Sequence, residues 1–321
     1  MVIQLVLVVL GFLSLIYGAN WMVDGASAIA KKYRVSDLAI GLTIVAFGTS
    51  APELVVNIIA SFNGYSDIVL GNIIGSNNFN LFIILGLAAL IYPVKVQSST
   101  AWKEIPISLF VAILLIFLLN DFKFGGSSYA SRLDGALMLV LFVFFLYYVF
   151  NQMKNDPQVL KGAPPVTGRK TWGLVIVGLA GLILGGHLVV TNSVAIAHEL
   201  GVSEKIIGLT IVAAGTSLPE LVTSLVAAAK KNSDIAIGNV IGSNIFNILL
   251  ILSLSSLISP IAYNPKFNLD LYILIGGTVF LLFAMRAGKR RVLDRWEGGV
   301  LLFFYVAYTV YLIRQDLVVS M

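Results

Sequence analysis

The 321 residues predict an all-α integral membrane protein: ten transmembrane helices arranged as two inverted five-helix repeats, with broken core helices. Three observations carry this. The chain is 58% hydrophobic and only 12% charged, with a mean hydropathy of +0.94, outside the range of soluble domains. GLTIVAFGTSAPEL (Gly41 to Leu54) returns as GLTIVAAGTSLPEL (Gly208 to Leu221), and GNIIGSNNFN (Gly71 to Asn80) as GNVIGSNIFN (Gly238 to Asn247), both at an offset of 167 residues. Each copy carries a glutamate inside an apolar stretch, where ionisable groups are costly, so a duplicated one predicts a site shared by two halves.

Ten apolar segments follow one another, at roughly 3–30, 38–61, 67–92, 104–120, 133–151, 172–198, 205–229, 234–259, 269–286 and 297–314. The first lacks a basic leader and cleavage site, and reads as a membrane helix rather than a signal peptide. Residues 152–171, with Pro157, Pro164 and Pro165 and several basic residues, read as a polar linker. It separates a first repeat (1–151) from a second (172–321). Five spans per half force the copies to cross the bilayer in opposite senses. Of the 21 Lys and Arg residues, 16 fall in loops on one side, among them Lys31, Lys32, Lys95, Lys103, Lys230, Lys231 and Arg291. This bias predicts that side to be cytoplasmic, with both termini outside, in a cell (plasma) membrane. The net charge of +5 is thereby read as orientation, not as nucleic-acid binding. The absence of cysteine excludes disulfides and thiolate metal sites.

Within GTSxPEL, Pro52 lacks an N–H and clashes with the carbonyl at Gly48, which predicts a kink or break between them. Carbonyls freed at membrane depth need a partner: protein, water or an ion. A helical continuation would put Thr49, Ser50 and Glu53 on one face, and Thr216, Ser217 and Glu220 likewise. Ser76 and Asn80, with Ser243 and Asn247, add oxygens. Gly71 and Gly75, with Gly238 and Gly242, form small-xxx-small pairs that allow close helix approach. If the inverted copies meet at the midplane, Glu53 and Glu220 come together, and their repulsion favours uptake of a proton or a cation. Oxygen donors of this kind suit calcium or sodium, and serve soft metals poorly.

Asn77 and Asn244 read as structural, bridging helices. Asp24 reads as interfacial, the basic runs as orientation signals with anionic-lipid contact as the alternative, and Trp21, Trp102, Trp172 and Trp296 as interfacial anchors. An enzyme is disfavoured: no HExxH run exists, and neither His187 nor His198 belongs to a motif containing Ser243. A channel fits less well than alternating access, because channel pores are usually built on an axis normal to the membrane.

The duplicated GTSxPEL and GSNxxN motifs resemble the alpha repeats of the calcium/cation antiporter superfamily, and among its branches the prokaryotic sodium/calcium exchangers. The resemblance covers nearly the whole chain. It implies ten helices in two inverted halves, with the long first and sixth helices sliding over a four-helix core. It also implies calcium between Glu53 and Glu220 with backbone oxygens of Thr49 and Thr216. Sodium would use the same glutamates with Ser50, Ser76 and the backbone of Ala46, and with Ser217, Ser243 and the backbone of Ala213. Asn80 and Asn247 would line the centre. The best-described archaeal pattern has an aspartate where this chain has Asn247, so two acidic groups remain instead of three. Proton-coupled relatives usually carry a GNxxE-type motif, which favours sodium as counter-ion and leaves calcium/proton exchange as the alternative. Calcium and sodium are cargo, no prosthetic group is expected, and the other partner is the lipid bilayer. A monomer is the working expectation.

Overall fold

The computed structural model describes residues 2–33, 35–120, 128–155, 168–200, 213–287 and 291–319. Most of the linker (156–167), and the stretch 201–212 that holds the second GLTIV, lie outside the described residues. Wherever they are described, the apolar segments are helical.

Helix α1 (Val2–Tyr33) is 32 residues long. At 1.5 Å per residue that is about 48 Å, longer than the roughly 30 Å hydrocarbon layer, so it must tilt or protrude. Helices α2 (Asp37–Thr49) and α3 (Ala51–Phe62) form a span bent by 49°. Then follow α4 (Ser66–Ile91), α5 (Thr100–Leu119) and α6 (Arg132–Asn155). The second half contains α7 (Gly168–Glu199), the short α8 (Ala213–Thr216) and α9 (Leu218–Ala229), then α10 (Ser233–Ile258), α11 (Asn268–Ala287) and α12 (Arg295–Val319). Among the described residues, seven helices are long and apolar enough to cross a membrane, and the bent α2–α3 pair makes an eighth.

Local chemistry sets the boundaries. Ser36 caps α2 by accepting the Ala39 N–H, and Asp37 follows in the first turn, where the helix dipole favours an anion. Pro52 and Pro219 sit in the first turns of α3 and α9, where a missing N–H costs nothing. The resulting breaks fall on Ser50 (φ −81°, ψ 6°) and Ser217 (φ −90°, ψ 8°), the same backbone twice.

The apolar core has two parts. The spans bearing the GNxxGSN motifs are the most enclosed: 72% of the apolar window of α4 and 94% of that of α10 are buried. α1 and α7 pack lengthwise on each other as a second body, whose core includes Leu15, Met22, Val175 and Leu182. Their backbones touch: a Cβ on Gly18 would lie 2.8 Å from the Gly178 carbonyl, and one on Gly178 would lie 2.6 Å from the Met22 nitrogen. Only glycine permits that approach.

Two features depart from the sequence reading. Two short antiparallel ladders join distant loops: β1 (Val94–Lys95) with β4 (Val292–Leu293), and β2 (Ser128–Ala130) with β3 (Ile261–Tyr263). π-helical turns interrupt the spans at Gly41–Val45, Phe79–Ile84, Thr100–Glu104 and Asn247–Leu252. Such turns recur at functional positions.

Candidate functional site

The glycines of the second GNxxG place the site. α10 lies directly on the π-turn of α2: a Cβ on Gly238 would stand 3.1 Å from the Cα of Gly41, and one on Gly242 would stand 2.7 Å from the Ala46 Cβ. This close packing brings the two breaks against the two GSNxxN segments.

The carboxylates are held by the opposite half. Ser50 Oγ donates to Glu220 Oε1 at 2.8 Å, and Ser217 Oγ to Glu53 Oε1 at 3.0 Å. Ser50 Oγ lies 3.0 Å from Ser243 Oγ, and Ser217 Oγ 3.1 Å from Ser76 Oγ. All six side chains are buried. Each serine hydroxyl thus bonds to the other half's glutamate, a pairing that the spacing within one copy does not give.

Below this layer lies a second, built of amides. Asn77 Nδ2 donates to the Asn244 carbonyl and Asn244 Nδ2 to the Asn77 carbonyl, each at 3.3 Å. Asn80 Nδ2 donates to Asn244 Oδ1 at 3.2 Å, and Asn247 Nδ2 to Asn77 Oδ1 at 3.0 Å. Asn77 and Asn244 thus bridge the halves, and in doing so aim Asn80 and Asn247.

Thr49 Oγ1 contacts the Val45 and Ala46 carbonyls and lies 3.0 Å from Asn239 Oδ1, while Thr216 Oγ1 has no partner among the described residues. The Ala46 carbonyl already accepts the Ser50 N–H at 3.0 Å. Ala213 opens α8.

The unpartnered atoms say what the site lacks. Among the described residues, Glu53 Oε2, Glu220 Oε2, Asn80 Oδ1 and Asn247 Oδ1 are buried with no hydrogen-bond donor. Four oxygens, two of them carboxylate, are left for an acceptor-hungry partner, and a hard cation satisfies such a set. Phe47 and Phe246, with ring centroids 6.0 Å apart, together with Leu54, Leu250 and Ile251, line a small apolar hollow that reaches Ser50.

Sequence reasoning missed a supporting shell. Asn57 Nδ2 donates to the Glu53 carbonyl (2.7 Å) and to Asn72 Oδ1 (3.2 Å). Asn239 Nδ2 donates to the Glu220 carbonyl (3.3 Å) and to Ser224 Oγ (2.9 Å). The asparagine in each GN pair was the available signal.

Comparison with known proteins places this arrangement. The profile of the family described as "Sodium/calcium exchanger protein" matches residues 3–151 and 170–314. The chain is 34% identical over 347 residues to a sodium/calcium exchanger of Methanosarcina acetivorans, covering 97% of this chain and 98% of that one. It is 33% identical over 315 residues to an inner membrane protein of Escherichia coli, covering 94% of each. The sodium-calcium exchanger NCX_Mj, solved after soaking without sodium or calcium, superposes with a TM-score of 0.84 at 34% identity, over 97% of this chain and all of that one. The same exchanger soaked in 2.5 mM sodium and 0.1 mM calcium gives a TM-score of 0.83 at 33% identity, over 97% and 98% of the two chains. With a profile that spans both halves and a backbone that follows a solved exchanger from end to end, the chain belongs to the sodium/calcium exchanger protein family.

Proposed function

We propose that the protein exchanges sodium for calcium across the membrane by alternating access, with Glu53 and Glu220 as the shared carboxylates. The observation that carries this is the pair of buried glutamates, each bonded through one oxygen to the opposite half's serine and each keeping the other oxygen free. Two negative charges neutralise one calcium ion. Thr49 and Thr216 would add backbone oxygens to it. Ser50, Ser76 and Ala46 on one side, and Ser217, Ser243 and Ala213 on the other, would hold sodium, with Asn80 and Asn247 lining the centre.

Mutual exclusion drives exchange in this reading, because the same carboxylates cannot hold calcium and a full set of sodium ions together. An unneutralised carboxylate in a closed, dry site is costly, so the protein should switch readily only when loaded. The family membership and the repeated motifs support ten transmembrane helices in two inverted repeats (1–151 and 172–321). The α1–α7 pair, joined by direct backbone contact, is the natural sliding element. The loop-charge bias supports both termini outside a plasma membrane and a cytoplasmic linker.

The test is calcium uptake into proteoliposomes loaded with sodium and diluted into sodium-free buffer. Uptake should require internal sodium, with potassium-loaded vesicles inactive. Uptake driven instead by an imposed pH gradient would replace this reading with calcium/proton exchange, the glutamates then carrying the protons.

A further inference from the structure

A second cavity lies away from Glu53 and Glu220. It measures about 1170 Å³, and a drug-sized ligand needs roughly 300–1,000 Å³. It opens where α10 begins, with Ser233 and Asp234 on its wall. Ser243, ten residues along that helix, is about 15 Å away.

Its lining is electropositive. Lys95, Lys103, Lys231 and Arg291 all line it, and none makes an ion pair among the described residues. Lys230 also lines it but is paired with Asp24 at 2.7 Å. The two acids on the wall are already engaged: Asp37 accepts Asn232 Nδ2 and Asp234 accepts Gln97 Nε2. Ser99 Oγ, also on the wall, is buried without a partner and has a hydroxyl to donate.

The backbone holds these cations deliberately. Lys231 (φ 59°) and Arg291 (φ 47°) are the two non-glycine residues with positive φ among the described residues, and both line this cavity. Glycine is the inexpensive choice at such positions, and strain of this kind gathers at ligand clamps. Lys231 ends α9 with its N–H on the Ala228 carbonyl, where helices usually place glycine. Arg291 is fixed by the β1–β4 ladder, its carbonyl accepting the Val96 N–H at 3.0 Å. Aromatic rings position two of the lysines: Lys231 Nζ lies 5.9 Å from the Tyr92 ring and Lys103 Nζ 5.8 Å from that of Tyr148.

We propose that this cavity binds a phosphate-bearing anion, with Lys231 and Arg291 as a strained clamp and Lys95, Lys103 and Ser99 completing the donor set. Lys95, Lys103, Lys231 and Arg291 belong to the loops whose charge bias marks the cytoplasmic side, where anionic lipid headgroups gather. A headgroup and a free phosphate present the same chemistry to the clamp.

The experiment is thermal unfolding of the purified full-length protein in a neutral detergent, followed by tryptophan fluorescence. Dioctanoyl phosphatidylglycerol or potassium pyrophosphate is titrated at ionic strength held constant with potassium chloride. The wild type should show a saturable rise in midpoint, as expected for a ligand bound only to the folded state. The Lys231→Gly, Arg291→Gly double variant relieves the strained backbone, so it should fold at least as stably. Its anion affinity should fall roughly 25-fold, about fivefold per charge. A control losing equal charge outside the cavity, Lys32→Gln with Lys170→Gln, should keep wild-type affinity. A rise with the lipid alone identifies a headgroup site, and a rise with pyrophosphate identifies a site open to soluble phosphate. No saturable rise with either probe, a rise undiminished in the glycine variant, or a loss matched by the control would overturn the proposal.

Discussion

The break at Ser50 and the break at Ser217 share a backbone and differ in how their threonines are held. Thr49 reaches Asn239 Oδ1 across the core, whereas Thr216 Oγ1 finds no partner among the described residues. One substitution within the repeat accompanies this difference. Asn57 in the first copy corresponds to Ser224 in the second. Ser224 only accepts from Asn239 Nδ2, which leaves Asn239 Oδ1 to Thr49. Asn57 instead donates to Asn72 Oδ1, the repeat counterpart of Asn239 Oδ1. The comparison separates two layers: the carboxylate–serine layer is symmetric, and the shell that supports it is not. The proposed alternating access of two inverted repeats needs the first property. The second lets one half be held more firmly than the other.

The symmetric layer makes the largest prediction. Glu53→Gln and Glu220→Gln should each weaken calcium affinity by roughly 100-fold or more, the equivalent of about 3 kcal/mol for a disrupted buried charge site. The two losses should agree within about tenfold, and together they should abolish binding by isothermal titration. A large inequality between them would break the symmetry argument, and retained calcium exchange in the double variant would remove the glutamates from the mechanism.

Next come the serines. Ser50→Ala and Ser217→Ala each strip a hydroxyl donor from a buried carboxylate oxygen. Each should cost the ion-free protein about 1–3 kcal/mol, measured by chemical denaturation in detergent. The costs should match, because the two bonds have the same partners and nearly the same lengths. Saturating calcium should shrink both penalties, since a bound cation takes over the carboxylate.

Much of this was legible beforehand, for physical reasons. Pro52 beside Gly48 and Pro219 beside Gly215 announce a helix break, because proline's missing N–H and ring clash act locally. A glutamate repeated at membrane depth announces a site because burial there is too costly to be incidental. What stayed hidden depends on contacts between distant segments. Ser50 bonds to Glu220, a contact between the two copies, and no spacing within one copy encodes it. Asn57 sits in a helix rich in apolar residues, and its role appears only when Asn72 packs beside it. The β1–β4 ladder pairs Lys95 with Val292, and strands of two residues have no periodicity to read. Lys231 and Arg291 looked like ordinary orientation charges, since positive φ leaves no mark on a lysine or arginine codeword.

The smallest effect tests the asymmetry most sharply. In the wild-type background, Thr49→Val should cost about 1 kcal/mol, the net worth of one buried hydrogen bond, whereas Thr216→Val should be close to neutral. Replacing Asn57 by Ser copies the second half's chemistry into the first and frees Asn72 Oδ1. In that background Thr216→Val should become costly, by about the same 1 kcal/mol, and the difference between the two backgrounds is the coupling energy of a double-mutant cycle. The complementary exchange, Ser224→Asn, should lower the cost of Thr49→Val by competing for Asn239. A cycle with no coupling would mean that Thr216 is left free by the placement of α8 itself, and that Asn57 and Ser224 differ without consequence for the threonines.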